Sequence, residues 1–216
     1  MNDTRDRLLE VTARLFAEAG YLGTTTRRVA QEAGVNEVTL FRHFGSKDAL
    51  IREALAAVAR RSRPKLSADV EDPVGELHRW TLAIFYYYYE HRQLIRRLMG
   101  EMVERQDLAS AVCEDSSQEF LQLVGFFAAL RARGLLRADV QDEAAAGILL
   151  NALLTNALWR DVWPDVPNPE QNVRAFVELV LRGVGLQGTE AAPATAGRAT
   201  GGVGSGRRTV AARGKR

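Results

Sequence analysis

Between Thr26 and Lys47 the chain reads TRRVAQEAGVNEVTLFRHFGSK, two short apolar-periodic runs parted by Gly34-Val35-Asn36 and closed by Gly45-Ser46. Helices this short are marginal in water on their own, so each must be held by packing on one side. With Leu40 set inward on a helical wheel, Phe44 lies about 40° away and Val38 and Arg42 about 160° away. Leu40 and Phe44 are therefore expected to pack inward with Val29, Ala30 and Phe16. Asn36, Val38, Thr39, Phe41, Arg42 and His43 are left as an outward surface, one more apolar than a solvated loop.

The rest of the chain is consistent with an all-α fold, because helical periodicity dominates and no alternating run bounded by turn residues suggests a strand. A first helix is expected over about 4–19, stopped by Gly20. A second runs over 27–33, capped by Thr25 or Thr26, and a third over 37–44. Ser46, Asp48 and Ala49 start a longer helix that runs towards Arg60-Arg61. Pro64 and Pro73 bracket a polar connector. Further helices are expected over 74–91, 92–104, 107–133, 141–160 and 169–186, with a rigid break at Trp163 to Pro169. The domain reading is 1–52 as a helix-turn-helix unit with a connecting helix to about 65, 66–186 as a larger helical unit, and 187–216 as a disordered basic tail.

Charge is segregated along this order. Residues 1–65 hold 12 Lys/Arg against 8 Asp/Glu, residues 66–186 hold 11 against 18, and residues 187–216 hold 6 against 1. Two basic ends around an acidic middle suggest that an end meets a polyanion while the body stays away from it. The single cysteine, Cys113, excludes a disulfide framework. No run is apolar enough to span a membrane, so a cytoplasmic protein with no membrane partner is expected.

Two short helices joined by Gly34-Val35-Asn36, with a longer helix before them, meet the needs of a helix-turn-helix, whose second helix enters the major groove of double-stranded DNA. Residues 8–52, LLEVTARLFAEAGYLGTTTRRVAQEAGVNEVTLFRHFGSKDALI, resemble the amino-terminal DNA-binding domain of the tetracycline-repressor (TetR) family. The resemblance is carried by Ala-Gly-Tyr, Thr-Thr-x-Arg-x-Val-Ala, Ala-Gly-Val, Thr-Leu-Phe-x-x-Phe and Ser-Lys-x-x-Leu. It implies a repressor of transcription. It also implies phosphate contacts from Thr25, Thr26, Thr39, Phe41, His43 and Lys47, and base contacts from Arg28, Asn36, Glu37, Val38 and Arg42. Position 38 is often glycine in the family and position 41 usually tyrosine, so Val38 and Phe41 make this surface more apolar than the family's.

A palindromic operator implies a twofold dimer, and the family pairs its last two helices with their copies. Leu149, Leu153, Phe176, Val177, Val180, Leu181 and Val184 are the expected interface, against the alternative that they form a monomeric core. The family also binds a small-molecule effector among its later helices. Trp80, Ile84, Tyr87, Tyr88, Phe120, Phe127 and Trp159 are the candidate lining, or else ordinary core aromatics. Binding would shift the population between states of different operator affinity.

Two other classes compete. A non-specific DNA-coating protein would act through the basic tail. An enzyme finds little support: no Gly-x-Ser-x-Gly occurs, Cys113 lacks a nearby histidine, and the glycines of 201–206 lack the Lys-Ser/Thr ending of a phosphate loop. No cofactor or metal site is read.

Overall fold

Nine helices and no strand occupy the described residues of the computed structural model, which are 4–61, 64–162 and 168–186. The side chains at 61 and 106–116, the break at Trp163 to Pro167 and the tail 187–216 lie outside the description. The helices are α1 (Thr4–Gly23), α2 (Thr26–Glu32), α3 (Glu37–Phe44), α4 (Lys47–Arg61), α5 (Pro73–Glu90), α6 (Arg92–Glu104), α7 (Gln106–Ala132), α8 (Asp142–Trp159) and α9 (Pro169–Gly183).

Local chemistry starts many of them where the pattern predicts. The Thr25 hydroxyl accepts from the Arg28 amide at 3.2 Å, Asn36 Oδ1 from the Thr39 amide at 2.8 Å, and Ser46 Oγ from the Ala49 amide at 3.1 Å. Asp72 and Asn168 do the same for α5 and α9, each followed by a proline in the first turn. These side chains satisfy backbone donors that a helix start leaves without a partner. At Gly20 the backbone turns left-handed (φ 68°), so α1 is kinked where the sequence stops it and then resumes to Gly23.

Three apolar clusters organise the packing. Leu8, Leu9, Leu15, Val29, Ala30, Leu40, Phe44 and Leu50 form the core of α1 to α4. Leu77, Trp80, Ile84, Phe85, Leu123, Phe127, Leu149, Leu153, Val177 and Leu181 belong to a larger core built from α5, α7, α8 and α9. Between the two, Phe16, Ile51 and Leu55 meet Leu98 of α6. Phe16 therefore sits at this junction rather than beside Leu40, as the wheel had suggested, because α1 buries two sides: one on α2 and α4, the other on α6.

Candidate nucleic-acid interface and cavity

On α3 the Leu40 side chain is fully buried and Phe44 nearly so, while Val38 is 76% exposed and Phe41 44% exposed. Arg42 and Asn36 are exposed, and Thr39 and His43 are half-buried. The helix thus presents one anchored side and one open rim. Much of that rim is already held by its own hydrogen bonds. Asn36 Oδ1 accepts from both the Thr39 amide and, at 2.9 Å, the Thr39 hydroxyl, so its carboxamide oxygen is committed to the cap and only its N–H2 end remains for another partner. The Thr26 hydroxyl donates to Glu37 Oε1 at 2.7 Å, which ties the start of α2 to the start of α3.

Arg28 is engaged on both sides. Its Nε donates to Glu32 at 3.0 Å and its Nη2 to Glu18 at 3.2 Å, and Arg14 bonds the same two carboxylates. The Arg14 guanidinium, more than Arg28, holds the Glu32 carboxyl below its ordinary range. Four alternating charges thus cross-link α1 to α2, and Arg28 can approach a base only by giving up carboxylate partners. Lys47 lies with Nζ 4.1 Å from the Tyr21 ring centroid, and partial burial lowers its pKa.

A second feature is a partly open cavity of about 230 Å³ walled by α4, α5 and α6, with contributions from α7 and α8. Of the seven candidate lining residues it collects Tyr87 and Tyr88. Trp80, Ile84 and Phe127 are core residues, with Trp80 Nε1 donating to the Pro64 carbonyl at 3.1 Å. Phe120 packs at the edge of that core, and Trp159 is 45% exposed with the Arg96 guanidinium 5.5 Å from its ring.

Most of the actual wall was missed: Leu55 and Val58 of α4, His91, Leu94, Ile95, Leu98, Met99 and Met102 of α6 and its start, Glu119 and Leu154. The spacing of Leu94, Leu98 and Met102, one per turn, was the available signal. The lining is mostly apolar, with Tyr87, Tyr88, His91 and the buried Glu119 as its polar groups. His91 packs edge-on to Tyr87 at 4.8 Å, and burial favours its neutral form. A wider cleft of about 860 Å³ between α1 and α6 is lined by Glu18, Arg96, Arg97, Glu101, Glu104 and Arg105, and offers much less apolar wall for its size.

Of the residues expected to meet a second copy, Leu149, Leu153, Val177, Leu181 and Val184 are buried in the subunit's own core, while Phe176 and Val180 are half-buried. The large apolar residues that α8 and α9 expose are Ile148 (64%), Trp159 and Leu179 (66%). Ile148 and Trp159 stand about three turns apart on one side of α8. Among the described residues no three His, Cys, Asp or Glu side chains gather as a metal site, and no helix is long and apolar enough to cross a membrane.

Comparison with known proteins adds independent findings. Residues 8–54 match the family model for bacterial regulatory proteins of the tetR family. The chain is 41% identical over 181 residues to the HTH-type transcriptional repressor AcnR of Corynebacterium glutamicum, covering 84% of this chain and 79% of that one. It is 26% identical to the HTH-type transcriptional repressor NicS of Pseudomonas putida, over 67% of this chain and 65% of that one. A crystal structure assigned to the TetR family from Mesorhizobium loti superposes with a TM-score of 0.70 at 20% identity, over 83% of this chain and 95% of that one.

Proposed function

The chain belongs to the tetR family of bacterial regulatory proteins, and from that premise we propose that it is a dimeric repressor whose α3 reads a palindromic operator and whose cavity between α4, α5 and α6 takes a small-molecule effector. It is a DNA-binding transcriptional regulator and not an enzyme, as its relatives are. The observation that carries the operator reading is the rim from Asn36 to Lys47, displayed on a helix whose reverse is anchored by Leu40 and Phe44.

On this reading Thr25, Thr26, Thr39, Phe41, His43 and Lys47 sit against phosphates, which fix register without carrying sequence information. Arg42, Val38 and the N–H2 end of Asn36 approach base edges, Val38 suiting a thymine methyl. Arg28 and Glu37 reach bases only after exchanging the partners that hold them now. The functional division falls near the connector between α4 and α5. With 12 Lys/Arg against 8 Asp/Glu in residues 1–65, a dimer brings modest phosphate steering and relies on specific contacts for the rest.

A recognition helix reads few base pairs, so a twofold dimer doubles the site. Ile148, Trp159 and Leu179, flanked by Phe176 and Val180, form the surface proposed to meet its copy. The cavity suits a mainly apolar molecule, and its α6 wall also packs on α1 through Leu98 and Phe16. A ligand that prefers one spacing of the recognition helices lowers operator affinity by that preference and no more.

The test is selection of duplexes from a random-sequence pool with the full chain, followed by footprinting. Enrichment of a twofold-symmetric site, protected on both half-sites, is the expected result. Recovery of no preferred sequence would refute the reading.

A further inference from the structure

The end of α1, the start of α4 and the far end of α6 converge on Tyr21. The Arg105 guanidinium carbon lies 3.6 Å from the centroid of the Tyr21 ring, and Lys47 Nζ lies 4.1 Å from the same centroid. The Tyr21 hydroxyl donates to Asp48 Oδ1 at 2.7 Å, and Arg105 Nη2 donates to that same oxygen at 3.1 Å. On the backbone side the Tyr21 amide donates to Glu101 Oε1 at 3.0 Å. That approach depends on Gly20: a β-carbon there would stand 2.3 Å from Glu101 Oε1 in a backbone conformation with φ +68°.

Lys47 and Asp48 are neighbours in the first turn of α4. Besides a DNA phosphate, the ammonium therefore has Glu101 as a lesser competing anion and the adjacent Asp48 carboxylate as its main one, while Arg105 repels it. Arg105, from the second helical unit, neutralises that carboxylate. Its planar guanidinium can stack on the ring and bond Asp48 at once, a double engagement that an ammonium cannot reproduce. With Arg105 withdrawn, Asp48 becomes the nearer and more attractive partner for Lys47.

We propose that Arg105 is a positioning residue for DNA binding, holding Asp48 so that Lys47 stays available to a phosphate. The inference rests on the operator reading above and deepens it. Arg105 touches no DNA in this scheme. It acts through a carboxylate that it bonds and that lies next in sequence to Lys47, and it ties the end of α6 to the start of α4.

The experiment measures binding of the full chain to the duplex recovered from the random pool, by fluorescence anisotropy across a range of salt. Arg105→Ala is expected to weaken binding about tenfold per subunit, the worth of one charged contact. The logarithmic salt slope becomes shallower by about 0.9 per subunit, the signature of one lost phosphate contact. Arg105→Met, which keeps bulk on the ring without the charge, gives the same result. Adding Asp48→Asn to Arg105→Ala restores both affinity and slope, because the competing anion is gone; a purely structural role for Arg105 would leave the double variant as weak as the single. Helix content and melting temperature, recorded for each variant, identify any that fail to fold, and the Met variant then carries the test. Unchanged binding by the Arg105 variants, or a double variant without recovery, overturns the inference while leaving the operator reading intact. A wild-type chain that enriches no duplex overturns the reading and the inference together.

Discussion

Helices α3 and α8 pose the same question to a helical wheel and return different answers. α3 is amphipathic: Leu40 and Phe44 lie on one side, Val38 and Arg42 on the other, and the structure buries the pair that the wheel turned inward. α8 carries Ile148, Leu149, Leu150, Leu153, Leu154, Leu158 and Trp159 around most of its circumference. Such a helix declares that it is surrounded but does not say by what. Its Leu149 and Leu153 face the subunit's own core, and Ile148 and Trp159 face out. On α3 the polar side is wide and the sequence assigns the inward direction; on α8 only Asn151 and Thr155 mark the exposed side, which they share with Ile148 and Trp159, so the neighbouring helices complete the assignment.

The sharpest way to break this contrast is to put a carboxylate on the buried side of both helices. Leu40→Asp in α3 and Leu153→Asp in α8 bury an unpaired charge in a filled core, and both are expected to abolish folding, read as lost helix content in circular dichroism. The milder Leu40→Ala should cost about 2–5 kcal/mol in chemical denaturation.

Ile148→Asp combined with Leu179→Asp tests the outward side of α8 and α9. The double variant should keep its helix content and sediment as a monomer, a loss of at least about 2 kcal/mol of pairing energy. If it sediments like the wild type, these residues are not the dimer surface.

A smaller effect is expected on the outward side of α3. Arg42→Ala should cost about 1–3 kcal/mol against the selected duplex and relax preference at the base it meets. Val38→Gly should alter base preference more than total affinity. Equal loss on every sequence would move Val38 to a backbone role.

The smallest effect concerns pH. Burial lowers the pKa of both His78 and His91, with Arg174 adding to the effect at His78. A histidine buried in its neutral form binds fewer protons folded than unfolded. Its contribution is therefore fully present above the ordinary value of about 6.5 and is lost as pH falls through the lowered folded value. Melting temperature should drop between about pH 7.5 and 5.5, and His91→Gln should reduce the drop. A drop that is no smaller in that variant would discount His91 as a contributor.

How far the candidate site was legible follows the same division. The helix starts at Thr25, Asn36 and Ser46 were readable because capping is a local bond between near neighbours. The outward set on α3 was readable because two apolar residues one turn apart define an inward direction. The partners of that set were not. That Arg28 is held by Glu18 and Glu32, or that Thr26 bonds Glu37, depends on how closely α1, α2 and α3 approach.

The aromatic run Phe85 to Tyr89 divides by direction: Tyr87 and Tyr88, the two offered as lining, reach the cavity, while Phe85 is core, Tyr86 is exposed and Tyr89 stacks parallel to Phe85. Leu94, Leu98 and Met102 had the spacing of a wall, but nothing local distinguishes a wall from a core stripe.

By itself the sequence determined the all-α class, the helix starts at Thr25, Asn36 and Ser46, and the short α3 with its outward rim, because these depend on periodicity, capping and glycine within a few residues. Tertiary structure alone decided which leucines of α8 and α9 stay inside the subunit, where the cavity lies, and that Tyr21, Asp48, Lys47 and Arg105 meet. Those are distances between residues far apart in the chain, and they exist only after helices with several apolar sides have chosen their neighbours.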